Sequence, residues 1–153
     1  MKKVLFILLA VATVSCSKST ETVLPTYKYI SSADEIVMLN TINHYRDSLG
    51  KEPVTLVEHV SFKCEEHNQY MITNNIINHD YFYDRSENIK QVCHAMHVGE
   101  VIAFNYNTCR STVNAWMNSP CHDTIIRSDF KRIGISIREN AQHQKYYTVI
   151  FID

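Results

Sequence analysis

A chain of 153 residues and 17.8 kDa has room for one hydrophobic core and not two, and 45% apolar with 20% charged side chains is the composition of a globular protein. Three Gly and three Pro exclude collagen-like or low-complexity chains. Fifteen Lys and Arg against sixteen Asp and Glu leave a net charge of −1, which provides no basic field for phosphate backbones and speaks against nucleic acid as a partner.

Lys2 and Lys3 precede residues 4–14, an eleven-residue run that is apolar apart from Thr13 and too short to span a bilayer. The pattern predicts a signal peptide over residues 1–15. Thr13-Val14-Ser15-Cys16 resembles a bacterial lipoprotein processing box, which predicts cleavage before Cys16 and a lipid on that cysteine. Residues 16–32 carry Ser, Thr and a Pro with no apolar period and read as a flexible tether, so the folded domain is expected over residues 33–153. Loss of Lys2 and Lys3 leaves thirteen basic against sixteen acidic residues, a mature charge of −3, so acyl chains and not a basic patch would hold the protein on its membrane. The expected location is the bacterial cell envelope, lipid-anchored, facing the periplasm or the surface. Four cysteines remain in that oxidising compartment, Cys64, Cys93, Cys109 and Cys121, and at least one disulfide among them is expected.

Within the domain, Ile36, Leu39, Ile42, His44, Tyr45 and Leu49 keep three-and-four spacing and predict a helix over residues 34–48, with Asp34 and Glu35 in its first turn and Gly50 as its stop. Glu52-Pro53-Val54 reads as a short extended link. A second helix runs from Leu56 or Val57 to about Asn75, with Val60, Cys64, His67, Tyr70 and Met71 along one stripe; Cys64 reads as a core thiol beside a partly exposed His67 ring. Residues 78–97 have no clean period and read as loop, with a short helix around residues 87–93. A long irregular stretch in a compact domain is often functional. Residues 98–104 look extended, and residues 108–118 look helical with Val113 and Trp116 on one side. Ser119-Pro120 fits an N-cap followed by Pro at the first helical position, starting a short helix through about Ile126. Residues 131–138 alternate Ile133, Ile135 and Ile137 with polar neighbours, a half-buried strand whose partner is residues 145–152 across a hairpin turn. Helices first and a small antiparallel sheet last make an α+β domain.

Three residues stand out for chemistry. His79 follows the second helix in Asn78-His79-Asp80, Glu100 interrupts an apolar strand on the face of Val98, Ile102 and Phe104, and His122 falls in the first turn of a helix. A carboxylate on an apolar face needs a partner, and imidazoles are suitable ones. The helix dipole would lower the His122 pKa and keep its ring neutral. Two neutral rings and one acid with an open position suit Zn²⁺ or a similar divalent ion. The competing reading is a hydrogen-bonded cluster that only holds loops to the sheet. Ser119 and His122 could mimic a nucleophile and its base, although an N-cap role accounts for Ser119. Cys93-His94-Ala95-Met96-His97 offers soft metal ligands, and Tyr81, Phe82 and Tyr83 floor a cleft beside His79 or cap the core, the core being favoured.

Six ordered segments carry a resemblance. Residues 39–46 (Leu-Asn-Thr-Ile-Asn-His-Tyr-Arg), Pro53-Val54-Thr55-Leu56, Asn78-His79-Asp80, Gly99-Glu100-Val101-Ile102-Ala103, Ala115-Trp116 through Pro120-Cys121-His122, and Phe130-Lys131-Arg132-Ile133-Gly134-Ile135 resemble the bacterial branch of the CAP superfamily of cysteine-rich secretory proteins, antigen-5 allergens and pathogenesis-related proteins. The resemblance spans about residues 34–152. It implies an α-β-α sandwich with a small antiparallel sheet between helices and a cleft whose histidines correspond to His79 and His122 and whose glutamate corresponds to Glu100. Three departures stand beside it: Val101 replaces the family's Asn after the glutamate, Cys121 replaces the Gly before the second histidine, and no glutamate follows Trp116. A single carboxylate leaves two-carboxylate chemistry without its second member. The function expected is therefore an extracytoplasmic, lipid-anchored domain that binds a lipid, a sterol-like molecule, a glycan or a protein at the His79, Glu100 and His122 cleft without turnover, with or without a divalent metal. Two alternatives remain open: a Zn-dependent hydrolase with His79 and His122 as ligands and Glu100 as general base, and a structural or adhesive surface module.

Overall fold

The structure, a computed structural model, describes residues 28–153; the expected signal peptide, Cys16 and most of the tether lie outside the described residues. In chain order the elements are α1 (Ala33–Ser48), β1 (Thr55–Leu56), α2 (Glu58–Asn74), α3 (Phe82–Cys93), β2 (Val98–Phe104), α4 (Cys109–Met117), α5 (Pro120–Ile126), β3 (Arg132–Glu139) and β4 (Lys145–Ile152).

A capping box starts α1: Ser32 Oγ accepts from the Glu35 N–H, and the Glu35 carboxylate accepts from the Ser32 N–H at 2.8 Å. Glu35 is buried and accepts also from Tyr29 Oη at 2.7 Å and Ile137 N at 2.9 Å, and it pairs with Arg138 Nη1 at 2.8 Å. Tyr29 is itself buried, so the packed body begins ahead of Ala33, inside the stretch expected to be tether. The buried face of α1 is Glu35, Met38, Ile42 and Arg46, and Ile36 is exposed. The apolar stripe misplaced this face because two of its members are charged: Arg46 goes inside by donating to the carbonyls of Glu52, Ile126, Ser128 and Phe130.

The sheet runs β1-β3-β4-β2, with β4 antiparallel to both β3 and β2. It is mixed and not purely antiparallel, because the link after Pro53 pairs parallel to β3, with Thr55 opposite Arg132 and Leu56 opposite Ile133. Alternation along the strands lays the core of the single domain down in two layers, one on each face of the sheet. One face presents Val101, Ile135, Val149 and Phe151 to Met38, Ile42, Val113, Trp116 and Ile126 of α1, α4 and α5. The other presents Ile150 and Ile152 to Val60 and Cys64 of α2 and Ile89 of α3. Helices on both faces of one sheet make the expected α-β-α sandwich. Gly134 permits the close approach of α2: a Cβ there would lie 2.3 Å from the Val60 carbonyl carbon.

Residues 78–97 are mostly helix and not loop. Tyr81 sits in the left-handed region at φ 57° and hands the chain directly into α3, whose buried residues are Arg85, Ser86 and Ile89. No disulfide is present among the described residues, where Cys64, Cys93, Cys109 and Cys121 are all free. Cys64 is enclosed under the sheet, the Cys109 thiol donates to the Asp34 carbonyl at 3.3 Å, and Cys121 is exposed on α5.

Candidate functional site

Glu100 points from the centre of β2 into the α2 and α3 side of the sheet, where its carboxylate is enclosed. Its principal partner is a residue that spacing did not single out. Arg85 of α3 donates through Nε at 3.0 Å and through Nη2 at 2.8 Å to both carboxylate oxygens, a bidentate grip. His79 adds Nδ1 to Oε1 at 2.8 Å. Burial by itself raises the Glu100 pKa, but the His79 hydrogen bond and the Arg85 charge outweigh it and hold the carboxyl below its ordinary 4.5. Glu100 is therefore ionised and can only accept, so Nδ1 of His79 carries the proton and Nε2 is the free edge of the ring.

His67 of α2 completes the cluster, and it is buried where a partly exposed ring was expected. Its Nε2 donates to the Asn78 carbonyl at 2.8 Å and lies 3.9 Å from Glu100 Oε1, while its Nδ1 has no partner among the described residues. Burial is the main cause of a His67 pKa below 6.5, which keeps the ring neutral beside Arg85. A turn presents His79 above this buried layer: Asp80 N–H donates to Asn78 Oδ1, and Tyr70 and Asn78 both donate to Asp80 Oδ2. The His79 side chain is 49% exposed. It borders an open hollow of about 410 Å³ with Phe82, Val98, Gly99, Ile125 and Phe130. Phe82 lines this hollow, but Tyr81 and Tyr83 are 63% and 74% exposed, so the three aromatics neither cap the core nor jointly floor the cleft.

His122 takes no part in the hydrogen bonds around Glu100. Its Nδ1 meets Ser119 Oγ at 2.9 Å, and the ring borders a different hollow of about 370 Å³ with Ile102, Phe104, Tyr106 and Trp116. Ser119 holds the N-cap position of α5 without a side-chain cap bond, its hydroxyl being engaged by His122. Burial first, and then the charge of His79, lowers the His122 pKa below 6.5; the direction is the expected one, with a different cause. A further depression of about 640 Å³, lined by none of the three, lies between α1 and α4 at Asn40, His44, Arg110 and Met117.

Among the described residues no group of three or more His, Cys, Asp or Glu side chains is placed to hold an ion. His79 and His122 each hold Nδ1 in a hydrogen bond, to Glu100 and to Ser119, and the carboxylate that would activate a bound water is engaged by Arg85. The soft ligands at residues 93–97 are also dispersed, since the Met96 N–H, the His97 N–H and His97 Nδ1 all bind the Asp153 carboxylate. The sequence held a signal for Arg85, a charged residue four before Ile89 on one helical face, but the helix itself was not legible there.

The chain matches the family model described as CAP, cysteine-rich secretory protein family, over residues 39–151. No curated protein sequence matches it. Among solved structures it is similar to an outer surface protein of Borrelia burgdorferi, at TM-score 0.73 and 20% identity over 83% of this chain and 97% of that one. It is similar also to an extracellular protein containing an SCP domain from Bacillus anthracis, at TM-score 0.69 and 21% identity over 78% of this chain and 40% of the other. A cysteine-rich secretory protein of Staphylococcus aureus aligns at TM-score 0.63 and 17% identity over 78% of this chain and 38% of that chain. At these identities the likeness is one of fold.

Proposed function

The chain belongs to the CAP, or cysteine-rich secretory protein, family, and from that premise we propose that it is a lipid-anchored envelope protein that binds an apolar, hydroxyl-bearing ligand, lipid or sterol-like, beside His79 without turning it over. The observation that carries the reading is the bidentate Arg85–Glu100 pair. A general base must be able to take a proton, and an acid held ionised by a guanidinium and a ring N–H is a poor proton acceptor. What remains at the surface is a ring whose Nδ1 is committed to Glu100 and whose Nε2 edge is open to a hydrogen bond, next to an apolar wall of Phe82, Val98, Ile125 and Phe130. A hydroxyl on a compact apolar body satisfies both features. The outer-surface and extracellular descriptions of the Borrelia and Bacillus neighbours support the envelope location.

The test is a titration with para-cyclohexylphenol and its methyl ether, which share an apolar body and differ in the donor. The phenol should bind the wild-type protein about tenfold more tightly, a difference of about 1.4 kcal/mol, and His79→Ala should abolish the preference. Equal binding of the two, or turnover of an ester substrate that disappears in His79→Ala, would overturn the reading. Mass spectrometry of the protein extracted from its native membrane checks the anchor: an acylated N-terminal peptide beginning at Cys16 is expected, and an unmodified one refutes it.

A further inference from the structure

The peptide that carries His79 is held from both sides by buried side chains. His67 donates to the carbonyl of Asn78, the residue before His79, and Arg85 Nη1 donates at 2.7 Å to the carbonyl of Asp80, the residue after it. The remaining hydrogen bonds of Arg85 among the described residues all end on Glu100, and Glu100 is the carboxylate that receives His79 Nδ1. The two neighbouring carbonyls and one ring nitrogen of His79 are thus fixed by α2, α3 and β2 together, although the ring itself is half exposed. Packing alone does not call for this arrangement, because a buried ion pair is often no more stabilising than apolar side chains of the same volume. A buried layer that orients an accessible ring is the relation that carboxylates hold to histidines wherever one ring nitrogen has to be presented.

We propose that Arg85 and His67 are positioning residues for His79, fixing both the place of the ring and its tautomer so that Nε2 reaches the hollow as a preset acceptor. The assignment rests on the reading of His79 as the ligand contact, yet its signature is visible with no ligand present. Arg85 acts twice, through the Asp80 carbonyl and through Glu100, and His67 acts through the Asn78 carbonyl alone. Loss of the Arg85 fork frees the carboxylate to turn, and the ring can then exchange its proton between the two nitrogens.

Nuclear magnetic resonance of the full chain with isotopically labelled histidine ring nitrogens tests this directly. At a pH well above the ordinary histidine range of about 6.5, the wild-type protein should give widely separated signals for a protonated Nδ1 and a bare Nε2 of His79. In Arg85→Met the two signals should move towards each other, and Arg85→Lys, which keeps the charge without the fork, should fall between. His67→Gln, whose amide can still donate to Asn78, should keep the wild-type pattern, whereas His67→Leu should not. The indole N–H of Trp116, bonded to the Ile102 carbonyl, reports in the same sample that the fold persists. If Arg85→Met keeps the wild-type signals and only melts earlier, Arg85 is a staple and the proposal is wrong. If Arg85→Met does not fold, unchanged signals in Arg85→Lys overturn it instead. Failure of the phenol titration with the wild-type ring signature intact would remove the proposed function and leave this assignment standing.

Discussion

At Glu100 three effects compete on one carboxylate, and their order decides its chemistry. Burial opposes the charge, and the bonds from His79 and Arg85 restore it. Removing the charge by Glu100→Gln therefore leaves Arg85 enclosed without a counterion, and a loss of about 3–5 kcal/mol is expected in urea unfolding at neutral pH. Arg85→Met combined with Glu100→Leu should recover much of that loss, and a single-variant loss under about 1 kcal/mol would show that the pair is not isolated from water. His67 makes a second prediction. Its ring is neutral in the folded state because burial lowers its pKa below 6.5, so below that pH the unfolded chain takes up a proton that the folded ring resists. Stability is then full above 6.5 and falls as the pH drops; His122, shifted the same way, adds to the slope, and Glu100 adds a further loss below its ordinary 4.5. Unfolding free energies compared at about pH 7.5 and about pH 5.5 should show the fall, and His67→Gln should reduce it. An unaltered slope in that variant would place the proton elsewhere. His79 and Glu100 were legible in sequence because an acid on an apolar strand face demands a partner. Arg85 was not, because an arginine amid Asp84, Ser86 and Glu87 reads as solvated until the helix is seen to turn it inward.

The elements divide in the same way. Strand β3 was readable from the alternation of Ile133, Ile135 and Ile137 and β4 as its hairpin partner, and α4 and α5 from Trp116 and the Ser119-Pro120 start. The start of α3 was hidden because its N-cap is Tyr81 in a left-handed conformation with no side-chain cap, the opposite of the usual Ser, Thr or Asp signal. Strand β1 was hidden because it is two residues long and exists only through backbone pairing to β3. Glycines show how closely the layers meet. A Cβ at Gly134 strikes the backbone of α2 at 2.3–2.4 Å, and a helix cannot move locally to relieve it. Gly134→Ala should cost about 3 kcal/mol or more, at the upper end for an overpacked core. At Gly99 the nearest atoms are side chains, Ile125 Cγ2 at 2.9 Å and the Phe130 ring at 3.2 Å, which can yield. Gly99→Ala should cost only about 1 kcal/mol while crowding the hollow beside His79, so it should weaken phenol binding more than it weakens the fold. Thermal melting and the titration together check both, and equal melting losses at the two glycines would contradict the difference in what they touch.

For the whole molecule, one sheet between two helical layers leaves the N-terminal approach as the remaining question of architecture, and Tyr29 answers it. Its hydroxyl donates to Glu35 at 2.7 Å, and burial with that bond raises the phenol pKa above its ordinary 10.0. Glu35 joins Tyr29, the α1 capping box, the Ile137 N–H and Arg138, and Arg138 continues to Glu65 of α2 at 2.6 Å. Tyr29 is thus tied, through Glu35 and Arg138, to both helical layers and to β3. Tyr29→Phe removes one donor from an acid that keeps its others, so a loss of about 1 kcal/mol is expected. Tyr29→Ala also removes the enclosed ring and should cost about 3 kcal/mol, lowering the melting temperature by several degrees more than the Phe variant does. The ordering of the two is the decisive measurement. If both variants melt with the wild type, Tyr29 lies on the body without being part of it, and the domain starts at the capping box of α1.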